Sequence, residues 1–275
     1  MSREIDQDRW KLSYLDEIDR VAAETSGRVL TSVFFGGGTP SLMRPDVVAA
    51  ILERINFHWR PANDFEVTLE ANPSSVDAGR FRGYADAGVN RISMGIQALN
   101  DRDLKRLGRI HSVQEAMTAF EIARAEFDRV SFDLIYARQD QTLAEWQAEL
   151  SKAVDLAIDH ISLYQLTIET GTAFGDRYAT GKLRGLPEDD LAADMYQVTQ
   201  EICENAGLIG YEVSNYAKTR SESRHNLVYW SYGDYVGIGP GAHGRLTLNG
   251  EKLSTESWRN PGKWLTSVEA GNGES

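Results

Sequence analysis

Apolar positions along the chain fall into two alternating patterns. Residues 10–25 carry them at helical spacing, and residues 28–35 then form a short β-rich run that stops at Gly36-Gly37-Gly38-Thr39-Pro40. A helical pattern over 45–58 follows, and the next apolar run, 65–70, ends at Ala71-Asn72-Pro73, where proline forbids simple continuation. The alternation continues with a helix over 77–87 and a strand over 91–97, then helices over 101–107 and 113–127 and a strand over 129–136. A helix over 143–158, a strand over 160–166 and a long helix over 188–206 complete it. Strands with few polar positions, separated by helices, mark parallel βαβ units buried on both faces. They predict an α/β protein built on a parallel sheet or barrel, with an open doubly wound sheet as the rival. Beyond residue 207 the sequence turns irregular and rich in Tyr, Trp and Gly, which divides a core, residues 1–207, from a small C-terminal α+β extension, residues 208–275. Within that extension, residues 244–254 read as a hairpin turning on Asn249-Gly250.

Composition narrows the picture. The 275 residues suffice for one barrel with an appendage, and 41% hydrophobic with 25% charged residues is the make-up of a chain that folds. A net charge of -12 works against broad contact with nucleic-acid phosphates or anionic lipid and favours a neutral or cationic partner. No run of about 18 apolar residues is present to span a bilayer. Residues 1–10 are too polar and acidic for a signal peptide, so the expected location is cytoplasmic. One cysteine, Cys203, excludes an internal disulfide and any cluster or zinc site built from several thiolates of this chain.

In a parallel barrel the site lies where the strands end, because each strand there hands over to a loop free to carry function. The apolar runs end at Gly38, Glu70, Gln97, Asp133 and Thr167, one every roughly 30 residues, which is one βα unit each. Glu70 and Asp133 stand where Val or Ile would ordinarily continue the strand, and a buried carboxylate needs a cationic partner. Singly, each reads as an acid capping the next helix; as an array, these acids and amides would surround one concave site for a small ligand bearing an ammonium and hydroxyls. The glycine run has neither the Lys-Ser/Thr of a phosphate loop nor a GxGxxG spacing. It offers instead close backbone approach and the Thr39 hydroxyl. Downstream, His225 stands near Tyr229 and Trp230 in HNLVYW, a set able to ligate heme iron and stack on a porphyrin; equally, His225-Asn226 could cap a turn while the two rings fill a core.

Several segments together resemble one family. They are FFGGGTPSLM at 34–43, EANP at 70–73, GVNRISMGIQ at 88–97, LGRIH at 107–111, FDLIY at 132–136 and ISLYQLTIE at 161–169. Their order is similar to that of the oxygen-independent coproporphyrinogen III oxidase-like radical-SAM proteins. EVSNYA at 212–217 and HNLVYW at 225–230 resemble that family's heme-chaperone branch. The resemblance implies a partial (β/α)6 radical-SAM TIM-like barrel. It places Gly37, Gly38 and Thr39 against the methionine part of S-adenosylmethionine, and Glu70 on its ammonium. By the same carry-over Gln97, Arg109 and Asp133 take the carboxylate and ribose, Thr167 lies near the adenine, and His243 of GIGPGAHG closes the site. A guanidinium suits the carboxylate because it can bind it through two N–H donors.

Family members open with a strand bearing CxxxCxxC, whose thiolates bind a 4Fe-4S cluster, and this sequence has no such motif. The expectation is a version truncated at its N-terminus, lacking the first barrel strand, with the cluster bound only by a full-length parent. Cys203 cannot replace three thiolates. The resemblance favours heme as the ligand of His225, Tyr229 and Trp230. The implied function is a heme chaperone-like radical-SAM protein that binds S-adenosylmethionine and heme, or another porphyrin, and passes heme to an acceptor protein. The alternatives are an oxygen-independent coproporphyrinogen III oxidase of porphyrin biosynthesis, active only in the full-length parent, and a nonfunctional fragment.

Overall fold

A computed structural model describes residues 5–275; residues 1–4 of the polar opening lie outside the described residues. The chain runs α1 (Gln7–Glu24), β1 (Val29–Phe35), α2 (Pro45–His58), β2 (Arg60–Ala71), α3 (Ala78–Ala87), β3 (Arg91–Gln97) and α4 (Asp101–Arg106). It continues through α5 (Val113–Glu126), β4 (Arg129–Tyr136), α6 (Leu143–Leu156), β5 (His160–Gln165), α7 (Ala173–Ala179) and α8 (Asp189–Asn205). Last come β6 (Ile209–Gly210), β7 (Asn215–Ala217), α9 (Arg224–Trp230), β8 (His243–Leu248), β9 (Glu251–Glu256) and α10 (Pro261–Glu269). These elements form two compact units, one of residues 5–69, 78–90 and 223–275, the other of Glu70–Asp77 and Arg91–Glu222.

In the first unit β1 and β2 pair in parallel, with Phe34 opposite Thr68. Helix α1 starts on Asp6, whose carboxylate accepts from Arg9 N, and it buries Ile18, Val21 and Ala22 one helical turn apart. These meet Val47, Ile51 and Ile55 of α2, Trp59, and Leu30, Val33 and Phe35 of β1. Helix α10, with Asn260 as its cap and proline at its start, places Trp264 on Trp10, the rings stacked 5.5 Å apart. The predicted hairpin is present as β8 and β9, turning at Asn249 and Gly250, both left-handed.

In the second unit β3, β4 and β5 are parallel neighbours, and β7 and then β6 add antiparallel at the β5 edge. Sequence patterning predicts strands apolar on both faces; the structure alternates instead. Ile92, Met94, Ile96, Val130, Phe132, Leu134, Ile161 and Leu163 are buried on one face. The ring of Phe120 on α5 meets Phe132 edge-on, and Trp146 of α6 stacks on Tyr136. The residues between them, Ser93, Gly95, Ser131, Asp133, His160 and Ser162, form a polar opposite face, as a period of two requires. Helices α5 and α6 begin with capping boxes, Ser112 with Glu115 and Thr142 with Glu145. The stretch after 207, read as an α+β extension, contains the helices α9 and α10 beside its hairpin.

Candidate functional site

The polar face of the second unit gathers three of the residues that the sequence singles out. Gln97, the last residue of β3, has φ 75, a left-handed conformation that costs a non-glycine residue about 1–3 kcal/mol, and the ladder to β4 slips in register just before it. Its amide joins two neighbours: Nε2 donates to Asp133 Oδ2 at 3.0 Å, and Oε1 accepts from Arg109 Nη2 at 2.9 Å. Gly95 leaves room for this arrangement, since a Cβ there would stand 3.4 Å from Gln97 Nε2.

Arg109 is delivered by the end of α4. Gly108 turns left-handed with φ 76, its N–H donates to Lys105 O, and Arg109 N donates to Leu104 O at 2.8 Å, the paired bonds of a Schellman stop. The same loop is tied to β3 by His111, whose Nε2 lies 3.2 Å from Ile96 O. Sequence reasoning passed over this histidine; its place two residues after Arg109 in LGRIH was the available signal.

Two atoms of the trio remain without a hydrogen bond although buried, Asp133 Oδ1 and Arg109 Nε. Burial pushes the Asp133 carboxyl up to about 7; the Arg109 charge opposes that shift and the Glu70 charge adds to it. Glu70 therefore shares the electrostatic environment of the trio within this unit. Thr167 does not join the hydrogen-bonded trio. The strand expected to reach 166 stops at Gln165, because its last partner, Tyr136, ends β4, and Thr167 is exposed two residues further on. Deeper on the same face, His160 Nε2 lies 2.8 Å from Tyr211 Oη, and burial, with Arg91 and Arg129 near, holds its imidazole well below the ordinary histidine range.

The remaining candidates lie in the first unit. Gly37 and Gly38 follow β1 with φ 72 and 52, and a Cβ at either would meet nothing within 4 Å, so backbone conformation is what calls for glycine. Thr39 precedes the short turn Pro40–Leu42 without capping it through its side chain. Beyond that turn, Tyr84 Oη donates to Ser41 O and Met43 O and Arg80 Nη1 to Ser41 O, which pins the loop's exit. His243 is the exposed first residue of β8.

HNLVYW is helical. Ser223 caps α9 by accepting from Asn226 N, so the capping role open to His225-Asn226 in the sequence belongs to Ser223. Buried Glu66 of β2 accepts from Arg224 N at 2.9 Å, setting a carboxylate against the helix start. The segment, expected to stand apart from the core, is in contact with β1: the His225 ring stacks on Phe34 at 4.2 Å and meets Tyr229 edge-on at 4.8 Å. No residue of α9 is buried; Tyr229 is 41% and Trp230 58% exposed, so these two rings do not fill a core.

The donor set for an iron-sulfur cluster is not here. Cys203 is buried in α8, where burial pushes its thiol up to about 12, and among the described residues no group of three His, Cys, Asp or Glu is placed to hold a metal ion. Nor is any helix among them long and apolar enough to cross a membrane.

Comparison with known proteins follows the same lines. The profile of the Radical SAM superfamily matches residues 3–153. Heme chaperone HemW of Escherichia coli (strain K12) is 41% identical over 260 residues, covering 94% of this chain and 68% of that protein. Radical S-adenosyl methionine domain-containing protein 1, mitochondrial, of Mus musculus is 45% identical over 242 residues, 86% of this chain and 54% of that one. The chain thus spans between about half and two thirds of the length of these relatives. Among solved structures, coproporphyrinogen III oxidase (HemN) from Escherichia coli matches all of the chain and 65% of its own with a TM-score of 0.80 at 19% identity.

Proposed function

The chain belongs to the radical SAM superfamily, among the HemW-type proteins, and we propose that it binds heme through α9 and S-adenosylmethionine at the strand ends of its second unit. Its fold is the α/β fold of radical-SAM TIM-like barrels, which the likeness to coproporphyrinogen III oxidase establishes; at 19% identity that likeness carries the fold alone.

The superfamily implies S-adenosylmethionine and a 4Fe-4S cluster. The second unit suits the first of these. S-adenosylmethionine brings a carboxylate, an ammonium and ribose hydroxyls. Arg109 has a buried Nε with an N–H to donate and Asp133 a buried Oδ1 able to accept, while Glu70 adds a negative charge for the ammonium. For Gly37, Gly38, Thr39, Thr167 and His243 the assignment to the same ligand rests on the family resemblance. The cluster has no fit: one buried thiol cannot supply its ligands, so they would have to come from outside these 275 residues.

The heme reading is carried by one observation. Helix α9 presents Tyr229 and Trp230 to solvent beside His225, where packing alone would have buried them. Delivery of heme to an acceptor protein is part of the same proposal, drawn from the name of the bacterial relatives. Hemin titration tests it: the chain should give a shifted Soret band, and H225A should weaken binding while circular dichroism shows a folded chain. Affinity and spectrum unchanged in H225A would remove the assignment.

A further inference from the structure

The exposed rings of α9 continue into a cationic border. Tyr229 lies 4.5 Å from Tyr235, and the Arg245 guanidinium sits 5.3 Å over Tyr235 and 4.1 Å over Tyr232, which is 64% exposed. Lys252 Nζ lies 4.3 Å from the same Tyr232 ring. Ring contacts therefore lead from the His225 imidazole through Tyr229 and Tyr235 to Arg245, and Tyr232 lies beneath both Arg245 and Lys252, all within the first unit.

Arg28, at 2.7 Å, and Lys252, at 3.5 Å, both face Asp234, and among the described residues Arg245 makes no ion pair, in a protein of net charge -12. Arg245 gives Nε and Nη2 to Gly233 O, and Lys252 gives one N–H to Tyr232 O. Both keep donors beyond these bonds, Nη1 on the arginine and further N–H groups on the ammonium. Pinning two carbonyls of a loop does not call for charge. An aromatic surface bordered by spare cationic donors complements a flat apolar ligand with carboxylates at its edge.

We infer that Arg245 and Lys252 recognise the carboxylates of a porphyrin whose face lies on the α9 rings, and so select a porphyrin dicarboxylate over its neutral ester. This rests on the heme reading of α9 and adds the residues that orient the ligand.

The test compares hemin with hemin dimethyl ester, in which both carboxylates are blocked, on the whole chain. The wild type should bind the diacid about tenfold tighter than the diester, the size expected for charge-assisted hydrogen bonds at a half-exposed site. In R245Q/K252Q the gap should close to about twofold, and in the wild type it should narrow as salt rises. Equal binding of the two ligands by the wild type overturns the inference, and it does so even if the double variant fails to fold. The outcomes separate the two layers of argument. If H225A weakens both ligands while the wild type does not discriminate between them, the heme site stands and the carboxylate assignment fails. If H225A changes neither, the reading of α9 itself fails.

Discussion

D133N is expected to flatten the dependence of the chain's stability on pH between 5 and 8. Burial lifts the Asp133 carboxyl from the ordinary 3.8 up to about 7, with Arg109 holding it down in part and Glu70 pushing it further up. Between those two values the folded chain keeps a proton that the unfolded chain gives up. The stability tied to this group is therefore full below about pH 4, falls as pH rises, and levels off above about pH 7. At about 1.4 kcal/mol for each unit of pKa difference, the whole fall is about 4 kcal/mol, and the part between pH 5 and 8 is about 2–3 kcal/mol. Asparagine keeps an oxygen to accept from Gln97 Nε2 and removes the ionisation. Its amide leaves an unpaired buried N–H₂, a cost of about 1–3 kcal/mol that is the same at every pH and leaves the slope untouched.

The measurement is urea unfolding of D133N and wild type, followed by tryptophan fluorescence and circular dichroism, at pH 5, 6.5 and 8. Taking the difference between the two proteins cancels every other group that titrates alike in both. D133N should gain about 2–3 kcal/mol relative to wild type from pH 5 to pH 8. A difference constant to within about 0.5 kcal/mol would refute the reasoning, because it would mean that Asp133 ionises in the folded chain as it does unfolded. E70Q provides the internal control: removing the neighbouring charge should lower the Asp133 pKa and shrink the slope over the same interval.

Other outcomes follow from particular groups. Reconstituted with iron and sulfide under anaerobic conditions, the 275-residue chain should hold far fewer than the four irons of a cluster; about four per chain, with an absorption band that shifts on adding S-adenosylmethionine, would contradict the donor set. E149A should destabilise the chain by about 3 kcal/mol in urea unfolding, because it leaves Arg138, 3% exposed, with Asp103 as its remaining ion-pair partner; a loss below about 1 kcal/mol would show the pair to be dispensable. W264A should cost about 3–5 kcal/mol, since the ring is fully buried against Trp10 and Tyr14, and a change within about 1 kcal/mol would mean that the cluster refills the cavity.

The elements most legible in the sequence were those whose signals are local. Strands β3 and β4 coincide with their apolar runs, and α5 and α6 begin at capping boxes that can be read from Ser112-x-x-Glu115 and Thr142-x-x-Glu145. Elsewhere a distant partner decides. Strand β2 begins at Arg60, well before the apolar run at 65, because Arg60 and Pro61 face Val29 and Leu30 of β1, and no local pattern announces that pairing. Helix α9 has apolar and aromatic residues around its circumference and so no amphipathic period to read. It is started by a carboxylate from Glu66, 158 residues before the Arg224 amide that it accepts from.

The candidate site divides in the same way. Gln97 and Asp133 were singled out by the apolar runs that contain them and Arg109 by the family resemblance; that the glutamine joins the other two could not be read. The link depends on a left-handed φ at a residue that is not glycine and on a slip in the β3–β4 register, and the sequence GIQ displays neither. The period-two polar face has a further consequence. A face carrying Asp133 and His160 cannot serve as hydrophobic core, so this unit draws its cohesion from the opposite, apolar face beneath α5 and α6, where Phe120 and Trp146 pack. On the polar face Asp133 Oδ1 and His160 Nδ1 are buried without hydrogen-bond partners, a cost that the apolar face has to offset. Strain and unmet atoms coincide at one place, the trio in which Asp133 Oδ1 and Arg109 Nε lack partners beside a left-handed Gln97, and a ligand that met both atoms would offset that cost on binding.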